Sequence, residues 1–240
     1  LNRPEPAARL EPGLYVVSTP IGNLGDITQR AVEVLAAADL VACEDTRRTG
    51  LLFSHYGIQN RLIQYHEYNK LRQTPQLLEL LRQGKRVALV TDAGTPGISD
   101  PGFYLIRAAV EAGLRVSPVP GASALLAALV VSGLPSDRFA FEGFLPKRDG
   151  RRRRRLADLV REERTMVFCE SARRVVRLLS EMLELWGERR VVVCREMTKR
   201  FEEVLRGTLG EVLAAIGDRE LKGETVVVVA GNERNNEEQG

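Results

Sequence analysis

The residues best equipped for chemistry sit in six short stretches: TPIGNLGD (19–26), EDTR (44–47), TDAGTPGISD (91–100), VPGAS (119–123), ESARR (170–174) and REMTKR (195–200). Each follows a short apolar or β-branched run of the kind that forms a buried strand. Glycine, proline and small hydroxyl residues at a strand end let a ligand approach the backbone closely. Acids mixed with arginines suit an anionic substrate, with guanidinium groups holding it and carboxylates orienting them or accepting a proton. In an open α/β sheet, ligands bind outside the carboxyl ends of the strands. The six stretches together therefore point to a cleft at one sheet edge.

The longest stretch organises the others. Val87–Val90 reads as a buried strand, and Ala93, Gly94, Thr95, Pro96 and Gly97 extend neither strand nor helix. Asp100 before Pro101 reads as an N-cap followed by proline at the first helical position, leading into Leu105, Ile106, Ala109 and Val110. Strand-to-helix turns usually take about two to six residues, and this one takes roughly nine. The first stretch is not a dinucleotide fingerprint, because only Gly22 and Gly25 match G-x-G-x-x-G and the P-loop lysine is missing. A small-residue pocket for a cofactor without phosphates fits better. A nucleotide-dependent oxidoreductase is disfavoured on the same ground.

The charged stretches also have a plain explanation. Asp45 or Thr46 can cap a helix, with acids favoured by its dipole. That explains the acids but not Arg47 and Arg48 in a first turn, nor the repeat of the pattern at Glu170/Arg173 and at Arg195/Glu196/Lys199. Arg151–Arg155, five consecutive arginines, leave two readings open: a solvated, mobile charge run, or an arm that contacts phosphates. Aromatic residues make up 5% of the chain and do not interleave with that run, so no stacking platform is expected.

The elements that must position these residues follow the same order. Strands are expected at Leu14–Ser18, Asp39–Cys43, Leu62–Gln64, Val87–Val90, Arg115–Pro118, Thr165–Cys169, Arg190–Arg195 and Thr225–Ala230, with a shorter one at Arg138–Phe141. Helical stripes lie between them, as at Leu71–Leu81 and Arg173–Trp186. The 240 residues allow one large or two small domains. Lys and Arg number 35 against 32 Asp and Glu, a net charge of +3 that by itself declares no nucleic-acid partner. No run approaches the roughly 18 apolar residues of a membrane span. Cys43, Cys169 and Cys194 each close an apolar run and read as buried small hydrophobes. They form neither a disulfide framework nor a zinc site, which fits a reducing cytoplasm. His55 and His66 have no metal-ligand spacing, and no metal is expected.

The stretches STPIGNLGDIT, ACEDTRRTGLL, TDAGTPGISDPG, PVPGASA, FEGFLP, FCESARR, REMTKRFEE and KGETVVVVAG, in this order, resemble the small-subunit ribosomal RNA methyltransferase I family of the tetrapyrrole-methylase superfamily. The resemblance spans roughly Gly13–Gly231. It implies two α/β domains, 13–122 and 123–231, between tails 1–12 and 232–240. The N-terminal sheet would be mainly parallel and the C-terminal sheet mixed, with S-adenosylmethionine in a cleft between the domains. It implies 2′-O-methylation of a cytidine ribose in the decoding region of small-subunit ribosomal RNA, within the assembled 30S subunit, by a cytoplasmic homodimer. Cofactor contacts would fall to Pro20, Ala93, Gly94, Thr95, Ile98, Ser99, Ala122, Ser123, Glu170 and Thr225. Thr95 stands where the superfamily pattern has an aspartate, so the hydrogen bond made there is open. Asp45 ranks first as proton acceptor, ahead of Glu44, Glu170 and Glu196. Arg47, Arg48, Arg151, Arg152, Arg153, Arg173, Arg195 and Lys199 would contact RNA. The alternatives are a tetrapyrrole carbon-methyltransferase of the same superfamily and a non-catalytic RNA-binding module.

Overall fold

The computed structural model describes residues 10–232. Most of the two expected tails therefore lies outside the described residues. The chain divides into two compact units, with the division between Ser123 and Ala124.

The first unit alternates strands and helices: β1 (Gly13–Val17), α1 (Gln29–Ala37), β2 (Leu40–Cys43), α2 (Thr46–Tyr56), β3 (Leu62–Gln64), α3 (Lys70–Arg82), β4 (Arg86–Leu89), α4 (Gly102–Glu111) and β5 (Val116–Val119). Its sheet has the order β3-β2-β4-β1-β5, and every pair is parallel. Strands such as LVAC of β2 are apolar throughout because both faces are covered. One face packs Tyr15, Val17, Val41 and Ala88 against Val34 and Leu35 of α1 and Phe53 of α2. The other packs Leu14, Ala42, Val87 and Leu89 against Leu77 and Leu81 of α3 and Leu105 of α4. From β1 the chain moves outward to β2 and β3, then returns to insert β4 beside β1 and passes over β1 to β5. The neighbours β1 and β4 thus send their following connections in opposite directions. That is the topological switch point at which ligands bind in such sheets.

The second unit contains α5 (Ala124–Ser132), β6 (Phe139–Phe144), α6 (Asp149–Asp158), β7 (Thr165–Ser171), α7 (Ala172–Trp186), β8 (Arg190–Arg195), β9 (Glu203–Thr208), α8 (Leu209–Ile216) and β10 (Glu224–Val229). Its sheet has the order β6-β7-β10-β8-β9 and is mixed: β6 and β7 are parallel, and the other pairs antiparallel. Helices α6, α7 and α8 cover one face through Leu156, Leu178, Leu179, Met182 and Val212. Ala128 and Leu129 of α5 cover Val167, Val192, Val226 and Val228 on the other.

Three expectations are corrected. Helix α4 starts at Gly102, with Pro101 rather than Asp100 in the capping position. Asp100 still serves the start of the helix, since its carboxylate accepts from the Gly102 N–H at 2.6 Å. The fifth strand is shifted one residue from Arg115–Pro118 to Val116–Val119. Arg151–Arg155 is not a mobile run but the middle of helix α6. Arginine is a good helix former, and acids around α6 pair with Arg152, Arg153 and Arg155.

Candidate active site

At the switch point the loops after β1, β4 and β5 are bonded to one another. Thr19 N–H donates to Gly94 O at 2.9 Å, and Gly94 N–H donates back to Thr19 O at 3.1 Å. This is an antiparallel link just beyond a parallel pair. The Thr19 hydroxyl donates to Thr91 O at 3.2 Å. Thr95 Oγ1 donates to Ala122 O at 3.3 Å, which leaves the Ser18 hydroxyl, 3.0 Å away, to donate to Thr95. A hydroxyl at position 95 thus joins all three loops. Gly94 sits at φ +84°, a backbone state that L side chains rarely adopt. On either side of it Ala93, Ile98 and Ser99 are exposed, and Ser99 is left-handed at φ 59°. Asp100 accepts from Gly97 N–H at 2.9 Å and from Gly102 N–H at 2.6 Å, which fixes the far end of the loop. Burial pushes the Asp100 carboxyl above its ordinary pKa, and the two N–H groups pull it back.

The loop after β2 joins the same seam. Thr91 Oγ1 donates to Glu44 Oε2 at 3.1 Å, and the Asp45 N–H donates to Asp92 Oδ1 at 3.1 Å. Asp45 is the N-cap of α2, accepting from the Arg47 N–H at 2.9 Å. The Arg47 guanidinium also grips the Asp45 carboxylate at 3.1 and 2.7 Å. That side-chain bond, more than any other influence, holds the Asp45 carboxyl down to about 2. Asp92 behaves oppositely. Burial, then the neighbouring charge of Glu44, pushes its carboxyl up, against the pull of Arg48 at 3.2 Å.

In the second unit, strand register aligns the charged residues in one row. Thr225 of β10 lies opposite Glu170 of β7 on one side and Arg195 of β8 on the other, and Arg195 lies opposite Glu203 of β9. Thr225 Oγ1 donates to Glu170 O at 2.6 Å. The buried Glu170 carboxylate accepts from the Ser171 N–H at 2.7 Å and from Arg174 Nε at 2.8 Å. Arg195 Nε donates to Glu203 at 3.0 Å, and Lys199 Nζ donates to Glu196 at 3.0 Å and to Glu224 at 3.1 Å.

Residues 13–213 match the family of Tetrapyrrole (Corrin/Porphyrin) Methylases. The chain is 51% identical over 234 residues to Ribosomal RNA small subunit methyltransferase I of Mesorhizobium japonicum, covering 91% of this chain and 80% of that protein. It is 49% identical over 228 residues to the protein of the same name from Escherichia coli, covering 94% and 80%. The chain belongs to the tetrapyrrole methylases, in the ribosomal RNA small subunit methyltransferase I family. Solved structures show the same fold. One is the Thermus thermophilus uroporphyrin-III C-methyl transferase complexed with S-adenyl homocysteine, with a TM-score of 0.61 at 21% identity, covering 91% of this chain and 97% of that one. Another is diphthine synthase, with a TM-score of 0.67 at 17% identity, covering 90% and 89%.

In this tetrapyrrole methylase the first sheet gathers Pro20, Glu44, Asp45, Gly94, Thr95 and Ala122 at one edge, but the single sheet edge expected of all six stretches is corrected, because 170–174 and 195–200 follow strands of the second sheet. The second sheet gathers Glu170, Thr225, Arg195, Glu196 and Lys199 at its own edge. The RNA-contacting roles expected of the arginines change most. Arg152 is buried, donating to Glu181 at 2.6 and 2.7 Å and to Asp149 at 3.0 Å, so it is a core ion pair and not a phosphate contact. Arg153 is taken up by Glu184 at 2.8 and 2.6 Å. Arg47, Arg48, Arg195 and Lys199 each face a carboxylate of their own unit. Arg151 and Arg173 stay exposed with no ion pair among the described residues. Ser18, Thr19, Thr91, Asp92 and Arg174 belong to the two edges; all but Ser18 lie in the six stretches, but none was given a role of its own. Asp92 had the clearest signal, as a carboxylate two residues beyond an apolar strand.

Proposed function

We propose that the protein transfers a methyl group from S-adenosylmethionine to the ribose 2′-oxygen of a cytidine in the decoding region of small-subunit ribosomal RNA. The observation that carries this reading is the near-half identity, over more than nine-tenths of the chain, to relatives named Ribosomal RNA small subunit methyltransferase I. The reading has the protein working as a homodimer in the cytoplasm on the assembled small subunit. Among the described residues no helix is long and apolar enough to cross a membrane.

The switch-point seam fits this cofactor. It offers backbone and small hydroxyls at Ser18, Gly94, Thr95 and Ala122, and no phosphate cradle. Its acids suit a cation, since the Asp92 carboxyl is raised first by burial and then by the neighbouring Glu44 charge, and positive charge there would relieve both. Pro20, Gly94, Thr95 and Ala122 would hold the cofactor in the first unit, and Glu170 and Thr225 are candidates in the second. When bound, S-adenosylmethionine supplies an electrophilic methyl group together with its own leaving group. The chain has to position the ribose, and positioning of this kind provides much of the rate. The 2′-hydroxyl must also lose its proton. Asp45 is the weaker acceptor, because Arg47 stabilises its ionised form. Asp92 has the greater proton affinity of the two, and we assign the proton to its carboxylate, whose Oδ1 accepts from the Asp45 N–H and whose Oδ2 faces Arg48 at 3.2 Å.

The test is transfer of radiolabelled methyl from S-adenosylmethionine to small subunits that lack the modification. Label located at a ribose 2′-oxygen of the small-subunit RNA supports the reading. Label entering a uroporphyrinogen instead would make the protein a tetrapyrrole carbon-methyltransferase. No transfer and no saturable cofactor binding would leave a non-catalytic RNA-binding module.

A further inference from the structure

The turn between β8 and β9 holds two non-glycine residues in left-handed backbone, Glu196 at φ 50° and Thr198 at φ 65°. Residues of this kind persist only where the surroundings over-determine them, and they gather at functional sites. The surroundings here are explicit. The Glu196 carboxylate accepts from the Glu224 N–H at 3.0 Å and from Lys199 Nζ at 3.0 Å. The Thr198 N–H donates to Glu202 Oε2 at 2.6 Å. The Lys199 N–H donates to Glu196 O at 3.0 Å, and the Glu202 N–H to Lys199 O at 3.1 Å. Met197 packs against the core beneath α5.

This accounts for both acids, the lysine and the methionine of the turn. Two long side chains are left over. Phe201 is 66% exposed, and the Arg200 guanidinium lies 5.5 Å from the centre of its ring. Arg200 has no carboxylate partner among the described residues. A rigid turn that spends its other charges on itself, yet holds a bare aromatic ring beside an unneutralised guanidinium, has the composition of a stacking platform for single-stranded nucleic acid. Every base offers a π-face to an aromatic ring or a guanidinium plane, and the cation also favours the phosphate backbone.

We infer that Arg200 and Phe201 form a platform on which an unpaired base of the RNA substrate stacks. The inference rests on the reading of that substrate as RNA. It also reverses the expectation from composition that no stacking platform exists. That expectation looked for aromatics along the arginine run, and the ring lies instead in a turn of the second sheet.

The test uses the full chain and two measurements. The first is fluorescence anisotropy with a labelled single-stranded oligoribonucleotide of the decoding-region sequence. The second is methyl transfer to under-modified small subunits. Phe201→Ala should weaken oligonucleotide binding about tenfold, in the range of a single lost base stack, and Phe201→Trp should retain it. In the transfer assay the loss should fall on KM for the RNA substrate and leave S-adenosylmethionine affinity alone. Because Phe201 is exposed, thermal melting of both variants should match the parent. Oligonucleotide affinity unchanged in Phe201→Ala would overturn the platform. So would a change in molecular mass by light scattering at unchanged RNA affinity, which would make this face a contact between copies of the chain. A parent protein that binds the oligonucleotide, weakly so as Phe201→Ala, yet methylates no small-subunit RNA would overturn the proposed reaction and leave the platform standing.

Discussion

Replacing Arg152 separates a structural arginine from an RNA-binding one. Its side chain is 5% exposed and that of its partner Glu181 is 9% exposed, and they meet through two bonds of 2.6 and 2.7 Å. Arg152→Met leaves Glu181 buried with only the more exposed Arg177, 3.3 Å away, to neutralise it. Breaking a buried pair from one side costs about 3–5 kcal/mol. At about 4 °C per kcal/mol for a unit of this size, the melting temperature should fall by roughly 12–20 °C. The arrangement also predicts the rescue. Arg152→Met combined with Glu181→Leu removes both charges, and such apolar replacement of a buried pair is often neutral or stabilising. The double variant should recover most of the loss. The assay is thermal unfolding followed by circular dichroism, with RNA binding measured over a salt series in parallel. An unchanged melting temperature together with weaker RNA binding and a shallower salt dependence would refute the reasoning and return Arg152 to the phosphates.

Asp92→Asn should lower methyl transfer at neutral pH by about 100-fold or more if this carboxylate takes the proton. Asp45→Asn, which keeps a capping side chain, should stay near the parent rate, and initial rates across pH separate the two. Gly97→Ala should cost about 1–2 kcal/mol in urea unfolding from its positive φ alone. Its new Cβ would also lie 2.8 Å from Ile106 Cδ1, so cofactor affinity measured by calorimetry should fall as the loop shifts. The Asp39 carboxyl is pulled down to about 2, chiefly by its hydrogen bond from Arg86. A lowered pKa gives stability that is present above the unfolded value and lost as pH falls through the folded one. Asp39→Asn should therefore flatten the loss of stability on the acid side of pH 3.8, read from unfolding midpoints.

The strands were legible because apolar runs such as LVAC and VVVV are long enough to need burial on both faces. The first sheet edge was legible because its glycines and hydroxyls have no other use at a strand end. The partners of the charged residues were not legible. Whether Arg152 faces a phosphate or Glu181 depends on how α6 packs on α7, contacts that lie 29 residues apart in the chain. Asp45 and Asp92 are equally plain carboxylates in the sequence. What divides them is the Arg47 fork around one and the burial of the other. Ser18 reads as an ordinary residue until the loops after β1 and β4 are seen side by side, where its hydroxyl meets Thr95. Thr95 stands where an aspartate was expected, and the sequence could not show that its hydroxyl is bonded to Ser18 and Ala122.

The insertion of β4 between β1 and β2 has a consequence for how the chain acquires its activity. Strands β1 and β2 emerge first during synthesis and have no direct pairing with each other. Their shared neighbour is more than 40 residues downstream of β2, so the contacts that define the pocket are of high sequence separation and form late. With the donor held at this seam, as proposed, a partly made first unit lacks the β4 side of its site. On that proposal the donor would stabilise only finished protein, by mass action on the native state, and its binding would report on completed folding.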